Sequence, residues 1–235
     1  MNKQECDLNK KLKCVITAGP TREFIDPVRF LSNPSSGKMG YAIAEAARDC
    51  GLEVCLISGP TALAAPENVD IVSVVSAEEM HRAVIEYCVS ADILIMSAAV
   101  CDYTPVTTFR QKIKKSDSEL TLIMKRTKDI LLSVSQSQFC GTLVGFAAES
   151  EFLEKNALDK LHKKNLNMII ANDITQNGAG FASDTNIVTI FTDANDKVIL
   201  PQMPKKQLAR CLIACIMMYR EGKRIIVSEI QHFIQ

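Results

Sequence analysis

The sequence contains no tryptophan, and only three of its 235 residues are histidine: His81, His162 and His232. The three stand far apart, and none belongs to an HExxH motif or to a Cys/His cluster at zinc spacing. They read as surface residues. Chemistry without a histidine base relies on positioning and charge, supplied by lysine, arginine, backbone N–H groups and a metal ion, as in phosphoryl and nucleotidyl transfer. An excess of either charge is lacking too, with 27 Lys+Arg against 27 Asp+Glu. Nucleic-acid binders carry a basic surplus, so no nucleic-acid partner is expected. No apolar run reaches the ~20 residues of a membrane span, so no membrane association is expected. The opening Met1-Asn2-Lys3-Gln4-Glu5-Cys6-Asp7 has no apolar signal core. Nine cysteines are present, at 6, 14, 50, 55, 88, 101, 140, 211 and 215, but no CxxC pair. An odd count without framework spacing fits a reducing compartment, and a cytoplasmic protein is expected. Most of these cysteines lie in apolar runs and read as small buried hydrophobes. Cys211 and Cys215, one helical turn apart, read as two core thiols.

Short apolar runs alternate with amphipathic segments. Strands are expected at 14–17, 53–57, 70–75, 93–96, 143–146 and 168–171, with helices at 36–50, 77–89, 129–138, 151–164 and 205–220. Residues 187–191 and 197–200, joined by Thr192-Asp193-Ala194-Asn195-Asp196, read as a hairpin. Apolar strands alternating with helices imply a mostly parallel sheet covered on both faces. The expected class is therefore α/β, a doubly wound, Rossmann-like three-layer arrangement in a single domain, 1–235. Two extensions complete it: a polar loop or flap at about 102–120, and the hairpin at about 185–203. Loops of that length inside compact domains are usually functional.

In open α/β sheets, ligands bind at the carboxyl ends of the strands. Here those ends hold small or polar residues: Gly19-Pro20-Thr21-Arg22, Ser58-Gly59-Pro60-Thr61, Ser97-Ala98-Ala99, Gly145-Phe146-Ala147-Ala148 and Asn172-Asp173. One such end is ordinary turn chemistry; five together point to a binding crevice. Asn33-Pro34-Ser35-Ser36-Gly37-Lys38-Met39-Gly40 opens a helix with hydroxyls, glycines and free N–H groups, an anion site. Ser35 or Ser36 is the expected N-cap. The segment is not a P-loop, because Ser32 stands at the first glycine position and Met39 follows Lys38. No GxGxxG follows a strand, which leaves a dinucleotide-dependent reductase as an alternative only. Of the basic candidates, Lys160 and Lys164 are one turn apart on one helix, placed either to converge on a triphosphate or to form a solvated face. Asp102 directly follows a strand end. It is a turn cap, a partner for a base or sugar, or part of a metal site.

Four blocks together resemble the phosphopantothenate–cysteine ligase family. They are Ile16-Thr17-Ala18-Gly19-Pro20-Thr21-Arg22-Glu23 with residues 26–40; Ala98-Ala99-Val100-Cys101-Asp102-Tyr103 with Lys112-Ile113-Lys114-Lys115; Val144-Gly145-Phe146-Ala147-Ala148-Glu149; and residues 160–165 with Ala171-Asn172-Asp173 and Phe181-Ala182-Ser183-Asp184. The resemblance implies joining of L-cysteine to 4'-phosphopantothenate. The substrate carboxylate attacks the α-phosphate of CTP, giving an acyl-cytidylate and pyrophosphate, and the cysteine amine then displaces CMP. It implies Mg²⁺ with ligands unassigned, a homodimer with the 187–200 hairpin as a pairing edge, and CTP rather than the ATP used by eukaryotic relatives. In many bacteria this domain is half of a bifunctional protein with a flavin-dependent decarboxylase, so the chain is expected to be a stand-alone ligase or an excised domain. Asn33 falls at the acyl-handling asparagine, Arg29 one helical turn earlier, and Lys112 at the lysine of nucleotide activation. Nucleotide contacts are implied for Ser97, Ala98, Asp102, Phe146, Lys160 and Lys164, for Ser36 and Gly37 of the helix opening, and for Lys128, Asp129 and Ile130. At 127–128 the family often has Asn-Pro where this chain has Thr127-Lys128, and Cys101 replaces a small residue. A non-catalytic nucleotide-binding module on the same fold is the other alternative. Retention of Asn33 and Lys112 speaks against it.

Overall fold

The computed structural model describes residues 11–115, 119–173, 175–176 and 183–230. Cys6, His232 and Phe181-Ala182 of the last motif block lie outside the described residues. In chain order the elements are β1 (Lys13–Ala18), β2 (Arg22–Phe24), β3 (Phe30–Ser32), α1 (Lys38–Asp49), β4 (Glu53–Ser58), β5 (Asp70–Ser73), α2 (Ala77–Cys88), β6 (Ile93–Met96), β7 (Tyr103–Pro105), β8 (Met124–Arg126), α3 (Ile130–Ser135), β9 (Thr142–Glu149), α4 (Leu153–Lys163), β10 (Met168–Asp173), β11 (Thr185–Thr192), β12 (Lys197–Pro204), α5 (Lys205–Arg220) and α6 (Val227–Ile230).

Eight strands form one sheet in the order β12-β11-β10-β9-β6-β1-β4-β5. From β10 to β5 every pairing is parallel, while β11 and β12 run antiparallel. The hairpin expected near 185–203 is thus the sheet's own margin, with β12 as the edge. Side-chain alternation builds the three layers. On β1, Cys14, Ile16 and Ala18 pack in the core with α1 and α5, whereas Val15 points into the core with α2, α3 and α4. Each fully buried Ile or Leu contributes ~1.5–3 kcal/mol by leaving water, against ~0–1 kcal/mol for an exposed ion pair such as Lys13–Glu53. The continuous apolar runs, rather than the surface charges, therefore set this sheet. Cys14, Cys211 and Cys215 are fully buried in the same core, as small hydrophobes. Among the described residues no helix is long and apolar enough to cross a membrane.

Three local readings need correction. Gly37, not Ser35 or Ser36, is the N-cap of α1, with φ 77° and no side-chain cap bond. Only glycine takes that left-handed conformation at no cost. Arg29 is not a helical turn before Asn33, because β3 lies between them. And His81 is not simply a surface residue: it is half-buried on α2 with Nδ1 shielded, and burial, then the charge of Lys128, push its pKa down.

Candidate active site at the sheet's switch point

β1 is flanked by β4 on one side and β6 on the other, and the chain order reverses there. At such a switch point the loops leave in opposite directions and a crevice opens outside the carboxyl ends. The ends of β1 and β6 are tied across it. Pro20 bridges Ala99, the Ala99 amide donates to the Gly19 carbonyl at 2.9 Å, and Ser97 Oγ donates to the Thr17 carbonyl at 2.6 Å. α1 starts directly beside this junction. A Cβ on Gly40 would come within 2.5 Å of Ala18 Cβ and 2.8 Å of Ser97 Oγ, so glycine there lets the helix start close over the strand ends. No acidic residue occupies the first turn of α1, which leaves its positive end open to an anion.

Two adjoining cavities occupy the crevice. One, of about 480 Å³, is lined by Asp102, Lys128, Asp129, Ile130, Lys160 and Lys164. The other, of about 310 Å³, is lined by Asn33, Ser36, Gly37, Ser97, Asn172 and Lys205. Ala98, Val100, Asp102 and Phe146 line both. Among the described residues, then, the structure gathers most of the expected site around two cavities with a shared wall.

In the larger cavity Lys160 Nζ donates to the Phe146 carbonyl at 2.6 Å, and Lys164 pairs with Asp129 at 2.8 Å. Burial, then the neighbouring Lys164 charge, lower the Lys160 pKa, with Glu149, Asp129 and Asp102 opposing. The lysines therefore do not form a solvated face. Asp129 also caps α3, accepting the Leu132 amide at 3.1 Å. Lys128 instead turns to Glu78 on α2 at 3.0 Å, and Thr127 Oγ1 donates to the Cys101 carbonyl at 2.7 Å, so this departure from Asn-Pro rebuilds the loop with side-chain bonds.

In the smaller cavity Asn33 Nδ2 donates to the carbonyls of Ala99 at 3.2 Å and Val100 at 3.0 Å, holding the loop after β6 against the α1 approach. Asn172 is 9% exposed, and its Oδ1 is buried with no hydrogen-bond partner among the described residues. An acceptor left this way costs ~1–3 kcal/mol. The sequence reading missed Lys205 and Asn186 in the cavity wall. Lys205 is 7% exposed, and burial followed by the nearby Lys38 charge lowers its pKa against the opposing Asp184. Its only signal in the sequence is a lysine opening a helix right after a hairpin, which is common on surfaces.

Lys112 and Arg29 line neither cavity. Lys112 is exposed on the segment between β7 and β8, and Arg29 sits in the β2–β3 turn beside Asp26. Burial would raise the Asp26 carboxyl, but the amides of Val28, Ile113 and Arg29 and then the Arg29 charge outweigh it and hold the pKa at about 2. The 102–120 segment is not loop throughout: Tyr103–Pro105 pairs antiparallel with Met124–Arg126. His162 is exposed on α4, outside the crevice. Cys101 is buried beneath Thr21 and Leu31, and burial raises its thiol pKa, which does not suit a nucleophile.

The sequence model of the DNA/pantothenate metabolism flavoprotein C-terminal domain matches residues 9–219. The coenzyme A biosynthesis bifunctional protein CoaBC of Bacillus subtilis (strain 168) is 53% identical over 192 residues, covering 81% of this chain and 47% of the relative. The protein of that name from Escherichia coli (strain K12) is 45% identical over 208 residues, covering 87% and 51%. The chain thus spans about half the length of these relatives. A crystal structure of the C-terminal domain of such a CoaBC protein is 43% identical, with a TM-score of 0.78 over 90% of this chain and 97% of that one. The DNA/pantothenate metabolism flavoprotein from Streptococcus pneumoniae is 29% identical, with a TM-score of 0.76 over 88% and 99%. The family match over most of the chain and identities of 43–53% with these CoaBC proteins agree with the fold: the chain belongs to the DNA/pantothenate metabolism flavoprotein C-terminal domain family.

Proposed function

We propose that the chain forms a phosphopantothenate–cysteine ligase domain of coenzyme A biosynthesis, acting in the cytoplasm on 4'-phosphopantothenate, L-cysteine and CTP. The observation that carries this is the pair of cavities that share Ala98, Val100, Asp102 and Phe146 as a common wall. An acyl-nucleotide has two ends of different chemistry, and two adjoining compartments suit it. The nucleotide takes the side of Lys160, Lys164 and Asp129, and the acyl part takes the side of Asn33 and the α1 start. Among the described residues no group of three His, Cys, Asp or Glu side chains is arranged to hold a metal. Mg²⁺ binds through one or two carboxylates plus substrate phosphates. Asp102, the carboxylate common to both cavities, is where the ion would be held, and the charge of the Mg²⁺ would neutralise the triphosphate. The protein's own contribution is to align the carboxylate with the α-phosphate and to stabilise the charge that develops.

The test is to supply phosphopantothenate, cysteine and Mg²⁺ with each nucleoside triphosphate in turn and to follow pyrophosphate release. CTP is expected to support turnover far better than ATP. Equal turnover with ATP would remove the CTP assignment, and no release with any triphosphate would remove the ligase.

Lys160 gives a pH signature. Its lowered pKa means that the cation is lost below the usual lysine range, so CTP affinity falls early on the alkaline side. Lys160→Arg keeps its charge there. The alkaline decline in affinity, measured by calorimetry across pH, is expected to move upward in that variant; an unmoved decline counts against triphosphate contact by Lys160.

We further propose a homodimer. Phe24, Val28, Phe30 and Leu31 on the β2–β3 hairpin, and Val106 and Phe109 beyond β7, are exposed large apolar side chains, as is Ile199 on the edge strand β12. Exposed apolar patches of this kind mark association surfaces. Light scattering at micromolar concentration is expected to give twice the chain mass, and a monomer there ends the proposal.

A further inference from the structure

Asp26 lies in the β2–β3 turn with its side chain fully shielded from solvent. Oδ1 accepts the amides of Val28 and Arg29, each at 2.8 Å. Oδ2 accepts Arg29 Nε at 3.0 Å and, from 87 residues further along the chain, the amide of Ile113 at 3.1 Å. The same guanidinium donates from Nη2 to the Ile113 carbonyl. Both main-chain polar groups of Ile113 are therefore gripped by one ion pair. Two further bonds tie the segment to the same hairpin, from the Phe109 amide to the Ile25 carbonyl at 2.9 Å and from Thr108 Oγ1 to the Phe24 carbonyl at 3.2 Å.

The placement of this grip is what gives it a consequence. Residues 106–115 have no helix or strand of their own, so nothing within the segment fixes its path. Ile113 is the immediate neighbour of Lys112, which lines neither cavity and must be presented to the crevice from outside. A turn that needed only local closure would be satisfied by the Val28 and Arg29 amides. The second carboxylate oxygen and the arginine fork are spent on a residue remote in sequence.

We propose that Asp26 is a positioning residue: through Arg29 and the main chain of Ile113 it sets where Lys112 stands relative to the crevice. This rests on the assignment of Lys112 to nucleotide activation. It also gives Arg29 a role within its own chain.

The experiment is a double-mutant cycle on the full chain, with Asp26→Asn, Lys112→Ala and the pair, read as kcat and KM for pyrophosphate release. Asp26→Asn is expected to lower kcat roughly 10- to 100-fold, the scale on which a misplacement of about 1 Å acts, and to change the nucleotide KM little. In the Lys112→Ala background it is expected to cost nothing more, because residues that act through one another are not additive. Ile113→Pro covers the case in which Asp26→Asn does not fold. It removes the gripped amide and leaves the turn's own bonds in place, and it is expected to reproduce the kcat loss with an unchanged melting temperature, while Ile113→Ala behaves as wild type. Additive losses, or a wild-type kcat in Ile113→Pro, overturn the proposal. If Lys112→Ala alone keeps the wild-type rate, the assignment of Lys112 fails first, and an Asp26→Asn loss persisting in that background is the additive outcome.

Discussion

Replacing Lys112 by alanine is expected to slow pyrophosphate release by ~10²-fold or more, the scale seen when one preorganised donor to developing transition-state charge is removed. Attack of a carboxylate on the α-phosphate gathers negative charge at phosphorus and on the departing pyrophosphate. Lys160 and Lys164 already stand in the cavity, but each is engaged, with the Phe146 carbonyl and with Asp129. Lys112 is exposed, on a flexible stem beside the gripped Ile113, which suits it to follow the charge as it moves. Lys115→Ala, two residues beyond the grip on Ile113, is the control and is expected to change the rate far less. Single-turnover release measured on both variants decides the matter. An unchanged rate in Lys112→Ala means that the segment carries no catalytic charge.

Asn33→Asp is expected to lower product formation by at least the same ~10²-fold, with nucleotide binding retained and the acyl-cytidylate accumulating. The geometry gives the reason a form that the resemblance alone does not. The asparagine amide supplies two hydrogen bonds to the loop after β6, at Ala99 and Val100. Aspartate removes both donors and sets a negative charge against two carbonyl oxygens. The Ala99 carbonyl keeps the Thr21 amide at 3.3 Å, but the Val100 carbonyl loses the bond from Asn33, at a cost of ~1–3 kcal/mol in a loop that lines both cavities. The same charge would face the acyl group at the moment the cysteine amine attacks. Asn33→Ala separates the two effects, since it deletes the donors without adding the charge, and it is expected to be milder. Mass spectrometry of a single-turnover reaction, with wild type beside both variants, reads the intermediate directly. Product formation near the wild-type rate in Asn33→Asp makes Asn33 a turn residue and nothing more. A large fall in melting temperature in both variants assigns the loss to the loop rather than to the chemistry.

The amino-acid order by itself determined the frame. Ile93–Met96 and Lys205–Arg220 begin and end where their apolar patterns do, because a strand buried on both faces must be apolar throughout and a helix against a sheet must repeat its apolar face. It also determined which strand ends carry the small and polar residues that line the crevice. The three-residue strands β2, β3, β7 and β8 were not legible. Their side chains are largely exposed, they carry no burial period, and each pairs only once its partner has been brought alongside. Gly37 displaced the serines as cap because the backbone there is left-handed and lies close to Thr61 and Gly19, contacts across the fold that local propensity does not encode. Only the tertiary structure decided that Lys205 is buried in the crevice, since that depends on the starts of α1 and α5 meeting around Asp184. It alone separated Arg29 and Lys112 from the cavities and joined them through Asp26 and Ile113. Periodicity reports which face of an element avoids water; which polar groups then find each other across eighty or more residues is settled by the packing of the elements that carry them.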